Sequence, residues 1–167
     1  MSHENHTRSL TLRRATTSDE PFLFESFTAS RERELLLLPP ELRVRFARHQ
    51  YEIFNAGLRD NYPGADHFVL EAPSPMGDDR LVASVGRLVF MQYDHRLLLI
   101  DIAILPAYRN RGLGSAALEM IMDSCREGKK TIIASVTPYN PARRLYARHG
   151  FVEKHTESGY IGIEWRP

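Results

Sequence analysis

Residues 97–118, "LLLIDIAILPAYRNRGLGSAAL", limit the fold more than any other part of this chain. An apolar run from Leu97 to Leu105 reads as a buried strand. Two arginines, two glycines and a run of small residues follow at once. A helix is expected from near Gly112 to Gly128, and "TIIASV" (Thr131 to Val136) supplies the next strand. A strand–helix–strand unit normally makes two parallel neighbouring strands with a right-handed crossover. Ligands of such sheets bind beyond the carboxyl ends of the strands, and "RNRGLGS" lies there.

A helix start presents unpaired backbone N–H groups and a partial positive charge, so it attracts anions. Gly112 and Gly114 let an anion approach the backbone because no Cβ intervenes. Arg109 and Arg111 can add charge-assisted hydrogen bonds. A phosphate or pyrophosphate is the simplest ligand. Two other readings stand beside it. The glycines can serve turn geometry alone. Gly112, Gly114 and Ala117 also fit G-x-G-x-x-G/A, but that dinucleotide site expects an acid at the end of the next strand, and "TIIASVT" has none.

The remaining elements frame this unit. "LTLRRA" (Leu10 to Ala15) reads as a first strand. Thr17 with Glu20 fits a capping box, with Pro21 in the first turn. That helix runs towards Leu35–Leu38 and stops at Pro39-Pro40. A second helix spans about Glu41 to Arg59, with Leu42, Phe46, Ile53 and Gly57 on one face. "HFVLEA" and "RLVASVGRLVF" are the second and third strands, joined by "PSPMGDD". "QYDHR" turns the hairpin into the fourth strand. In the central helix Leu113, Ala117, Met120 and Ile121 form the apolar stripe, with Glu119, Asp123 and Arg126 outside. A short helix starts at Asn140 (N-cap) and Pro141 and ends at Gly150. "FVEKH" and "YIGIEW" close the chain as a hairpin.

These 167 residues suit one domain, residues 10–167, after a flexible tail of residues 1–9. A net charge of +1 gives no field that draws the molecule to nucleic acid or membrane. No apolar run approaches the ~20 residues of a membrane span, and the N-terminus lacks a signal-peptide core. The single cysteine, Cys125, cannot form an internal disulfide. A cytoplasmic location is therefore expected. The histidines show no metal-ligand spacing, and Ser115 is not in a G-x-S-x-G elbow.

"RNRGLG" resembles the R/Q-x-x-G-x-G/A signature of the GNAT (GCN5-related) acyl-CoA N-acyltransferases. "IDIAILPAYRNRGLGSAAL" resembles that family's strand–loop–helix core, and "NPARRLYARHGF" its second motif. The resemblance covers about Leu10 to Trp165. It implies a mixed α/β fold: a mostly antiparallel twisted sheet of six to seven strands, with the fourth and fifth parallel and splayed. About four helices flank that sheet. It implies acetyl-CoA as co-substrate, with no metal. The pantetheine arm would lie along Ile102, Ala103 and Ile104. The pyrophosphate would meet Asn110, Arg111, Gly112, Leu113, Gly114 and Ser115, with Arg109 beside them. Asn140 matches the position that bonds the arm. Arg143 and Arg144 either reach phosphates or are exposed helix arginines.

Acyl transfer to an amine needs a neutral amine, a donor to the oxyanion and an acid for the thiolate. Tyr146 either matches the family's tyrosine acid or is a core aromatic on a short helix, and a fourth-strand amide near Ile104 can serve the oxyanion. Asp101 interrupts an apolar strand, where an unpaired carboxylate is costly. Either it binds a cationic acceptor or it anchors structure. In several branches of that family a carboxylate base lies one residue earlier, where this chain has Ile100. The expected reaction moves acetyl to a primary amine of a small molecule. A non-catalytic CoA sensor and, more distantly, a dinucleotide oxidoreductase are the alternatives. Glu25, Glu34, Gln50, Tyr51 and Tyr62 are acceptor-site candidates, and the leucine run is core, lid or homodimer contact.

Overall fold

The computed structural model describes residues 10–74 and 82–167. The expected tail, the expected loop from Pro75 on and the first residues of the expected third strand, Arg80 and Leu81, lie outside them. Among the described residues seven strands form one sheet: β1 (Thr11–Arg14), β2 (Asp66–Pro73), β3 (Val82–Gln92), β4 (Arg96–Ile104), β5 (Thr131–Val136), β6 (Val152–Glu157) and β7 (Tyr160–Trp165). Their order is β1-β2-β3-β4-β5-β7-β6. Of these pairs β4–β5 is parallel, and the others are antiparallel. Among the described residues five α-helices accompany the sheet: α1 (Glu20–Ser30), α2 (Glu32–Leu35), α3 (Pro40–Asn61), α4 (Leu113–Glu127) and α5 (Arg143–Arg148).

The sheet separates two layers. Leu88, Leu97 and Leu99 pack with Leu113, Ala117, Leu118 and Ile121 of α4. Arg87, next to Leu88, must point to the opposite face, and there it meets Phe27 of α1 and Phe54 of α3. Phe27 is 1% exposed and is ringed by Tyr51 and Phe54, with ring centroids 5.2 and 5.3 Å away. Such a cluster is worth about 1.5–3 kcal/mol per fully buried side chain.

A β-bulge in β4 sets the geometry of the centre. Val89 pairs with Asp101, but its neighbour Phe90 pairs with Leu99, so Ile100 has no partner across β3. One extra residue reverses the alternation of faces. Leu97 and Leu99 therefore face α4 before the bulge, and Ile102 and Ile104 do so after it. Asp101 and Ala103 face α1. Gly86 lies opposite Ile104, where a Cβ would come within 2.2 Å of the Ala103 carbonyl oxygen. Only glycine allows β3 that close to β4.

Several sequence expectations are corrected. The N-terminal cap is one residue earlier: Thr16 N–H donates to Asp19 Oδ2 at 2.7 Å. The first helix ends at Ser30 and a separate turn of helix carries Leu35. Pro40 starts α3 instead of stopping a helix, because its missing N–H is harmless in a first turn. Leu42, Phe46 and Ile53 face solvent at 47%, 41% and 53% exposure. α3 instead buries Ala47, Tyr51 and Leu58, the stripe that meets α1 and the sheet. In α4 Met120 is exposed, while Leu118, Met122 and Cys125 join the core. α5 begins at Arg143, later than the Asn140-Pro141 start. Asn140 still caps the preceding turn, its Oδ1 accepting from Ala142 N–H at 2.9 Å.

Candidate functional site

β4 and β5 share four rungs, from Arg96–Thr131 to Leu99–Ala134. Beyond the last rung β5 continues with Ser135 and Val136 bound to β7. β4 continues from Asp101 to Ile104, where among the described residues β3 is its one strand partner. The strands part at the bulge, because Ile100 breaks the repeat that both ladders need. A cleft results. Among the described residues, the β5-facing edge of β4 has no strand partner over Asp101 to Ile104. Ile102, Ala103 and Ile104, expected along the pantetheine arm, lie on this edge.

The glycine loop closes one end of the cleft. Asn110 and Gly112 both have positive φ, 60° and 77°. A Cβ on Gly112 would meet nothing within 4 Å, so its front is open space. The first bond of α4 runs from Ala116 N–H to Gly112 C=O. Among the described residues, the amides from Asn110 to Ser115 donate to no backbone acceptor. These free N–H groups and the helix dipole together suit an anion. The Arg109 side chain does something else. Its Nε donates to Ile104 C=O at 3.0 Å and its Nη2 to Ala29 C=O at 3.2 Å. It ties the end of α1 to the end of β4. Arg111 lies 5.5 Å from the Tyr108 ring.

Asp101 points away from α4 and is bound by Arg87, whose Nε donates to Asp101 Oδ2. Arg87 is 2% exposed. Its Nη1 donates to Leu23 C=O at 3.2 Å, and its Nη2 has no partner among the described residues. Sequence reading missed Arg87, although an arginine inside "VASVGRLVF" is the same signal as an aspartate inside "LLLIDIAIL". Tyr146 on α5 is 6% exposed and packs edge-on to Phe151. Burial, reinforced by the Asp101 charge, holds its hydroxyl well above the ordinary tyrosine value. It stays protonated at any working pH and is a standing hydrogen-bond donor.

The other expected site residues have visible partners. Asn140 is engaged through Oδ1, which leaves its Nδ2. Arg143 donates to Glu153 at 2.6 Å and to Pro138 C=O at 2.7 Å. Tyr51 donates to Glu20 at 3.1 Å. With Tyr62 and His67 they line a cavity of about 410 Å³ between α1, α3 and β2. Arg87, the partner of Asp101, is close enough for its charge to act on both Tyr51 and His67. Glu25 and Glu34 are exposed, and Gln50 is half-buried. Cys125 is buried in α4, and burial raises its thiol. No helix among the described residues is long and apolar enough to cross a membrane.

The family model for the acetyltransferase (GNAT) family matches residues 29–151. An uncharacterized N-acetyltransferase of Schizosaccharomyces pombe is 34% identical over 59 residues, 35% of this chain. The match spans 41% of that relative's length. Among solved structures, the PaiA N-acetyltransferase of Thermoplasma acidophilum in complex with coenzyme A superposes with a TM-score of 0.68 at 16% identity. That match covers 95% of this chain and 99% of the other. An acetyltransferase from Thermus thermophilus gives 0.64 at 21% identity, covering 95% and 97%. At these identities the likeness is one of fold. The strand order and the parallel β4–β5 pair are the shared frame.

Proposed function

The chain belongs to the acetyltransferase (GNAT) family, and from that premise we propose that it moves an acetyl group from acetyl-CoA to a primary amine of a small molecule. One observation carries this reading: the free edge of β4 beyond Leu99 leads straight to the unbonded amides of Asn110 to Ser115. A ligand with an amide-bearing arm and a pyrophosphate matches both. The Thermoplasma acidophilum neighbour, solved with coenzyme A, supports the same choice.

Bound acetyl-CoA supplies an activated thioester. This chain's residues hold it and set the charges around it. The amides of Asn110 to Ser115 hold the pyrophosphate, with Arg111 adding charge. The edge of Ile102, Ala103 and Ile104 holds the arm, and Asn140 Nδ2 donates near its amide. Arg109 fixes the loop by its two carbonyl bonds, and Arg143 borders the site. A β4 amide near Ile104 donates to the developing oxyanion.

Tyr146 Oη donates towards the departing sulfur. Its raised pKa makes a hydrogen bond its first contribution, because a departing thiolate, whose thiol has an ordinary pKa near ~8.5, does not readily pull a proton from a weaker acid. An alkylamine is only about one part in 10³ neutral at pH 7, so the acceptor must lose a proton, and water in the cleft is its exit. Asp101, already bound to Arg87, positions the cleft wall instead of taking that proton.

The deciding experiment screens primary amines with acetyl-CoA and reads thiol release. Turnover of at least one amine is expected. Tight coenzyme A binding without turnover of any amine would favour a sensor module instead.

A further inference from the structure

Two guanidinium groups press on one aromatic ring at the cleft end of α1. Arg31 Cζ lies 3.7 Å from the Phe27 centroid and Arg87 Cζ 5.2 Å from it. The two charges are thus within about 9 Å of each other. The position of Arg31 is fixed by geometry. It follows Ser30, the last residue of α1, and Arg109 binds both Ala29 C=O and the last carbonyl of β4. Arg31 therefore stands beside the mouth of the cleft, close to where β4 leaves β5.

The carboxylate of this corner is already taken. Asp101 binds Arg87, and Arg87 Nη2 remains buried with no partner among the described residues. Arg31 donates to Ser30 Oγ at 3.1 Å, and among the described residues it forms no ion pair. Glu34 on α2 is exposed and makes no ion pair with it. Yet Arg31 is half-buried, and that burial, with the like charge of Arg87, pulls its guanidinium below the ordinary arginine value against the opposing pull of Asp101 and Glu34. A partly desolvated cation with no carboxylate bonded to it costs free energy. Stacking on Phe27 holds its planar donor fork in one orientation, which suits a carboxylate bidentately.

We propose that the acceptor carries a carboxylate beside its amine, as an amino acid does, and that Arg31 binds that carboxylate. This rests on the acetyltransferase reading of the cleft. It turns the electrostatics of the site around. Asp101 is not a receptor for a polycation, because Arg87 has neutralised it. The unpaired charge is Arg31, and it selects acceptors that bear an anion.

The test compares matched acceptors: amino acids, their carboxamides and the corresponding decarboxylated amines. Acetyl-CoA is kept saturating. In the unmodified protein, kcat/KM is expected to fall at least about tenfold when the carboxylate is removed, the effect of one charge-assisted bond. Arg31→Met should bring the amino acids down to the level of their amides, with a much smaller loss for the amides themselves. Arg31→Lys should restore part of the difference, and coenzyme A affinity should not move. Equal turnover of amino acids and decarboxylated amines overturns the proposal, and so does equal loss for both in Arg31→Met. Calorimetry of the same compounds on the protein–coenzyme A complex is the second readout. If no compound is turned over, the activity fails and binding decides the site. Carboxylate-dependent binding that Arg31→Met removes supports it, and its absence overturns it.

Discussion

Arg87 on β3 and Asp101 on β4 face the same side of the sheet and form an ion pair under α1, with the guanidinium 2% exposed. Breaking a buried pair from one side leaves the other charge uncompensated. Asp101→Asn should lower stability by about 3 kcal/mol, read as a fall in Tm. The acceptor KM should change little when measured below that Tm. A selective rise in KM for cationic acceptors, with unchanged Tm, would instead make Asp101 a direct acceptor ligand.

Gly112 separates conformation from charge. Its φ of 77° costs a non-glycine residue roughly 1–2 kcal/mol. Gly112→Ala carries only that strain, since its Cβ meets nothing. Gly112→Asp adds a negative charge where the pyrophosphate is proposed. Calorimetry should find coenzyme A binding modestly weakened in the first and largely abolished in the second. Equal affinities in the two folded variants would remove the anion from this loop.

Tyr146→Phe keeps the ring against Phe151 and deletes the hydroxyl. kcat should fall about 10²-fold, the cost of removing one preorganised donor to developing charge, with coenzyme A affinity near unchanged. Because the hydroxyl's pKa is raised by burial and by Asp101, Tyr146 should add no falling limb to the pH–rate profile through the alkaline working range. A limb near the ordinary tyrosine value that vanishes in Tyr146→Phe would contradict this.

Ligand choice is visible in melting curves. Coenzyme A at 100 times its Kd should stabilise by about 2.7 kcal/mol. NAD should leave Tm unchanged, since β5 ends in Val136 and is followed by Thr137, with no acid for a ribose. A shift with NAD alone would point to a dinucleotide site.

His67 on β2 gives a pH dependence of stability. Burial lowers its pKa below the ordinary 6.5. The unfolded chain then binds the proton more readily than the folded one, so stability is full above about 6.5 and falls as pH drops below it. Tm should fall as pH drops from about 6.5 to about 5.5, and less so in His67→Gln. An identical fall in both proteins would remove His67 as the cause.

The strand–loop–helix unit, the parallel β4–β5 pair and the glycine loop were legible in the sequence because each rests on local chemistry. An apolar run, a positive-φ glycine and a small-residue helix start depend on neighbours a few positions away. The second motif was legible for the same reason, through Asn140, Tyr146 and Gly150. What tertiary structure decided concerns partners far apart in the chain. The bulge at Ile100 exists only in the register of β4 against β3, and it decides which side chains face α1. The partner of Asp101 is fourteen positions away on another strand, so its neutralisation could not be read from "LLLIDIAIL". Leu42, Phe46 and Ile53 formed a perfect helical stripe, yet α3 turned the other face inward. Periodicity states which residues share a face; only the volume offered by Phe27, Tyr51 and the sheet decides which face is buried.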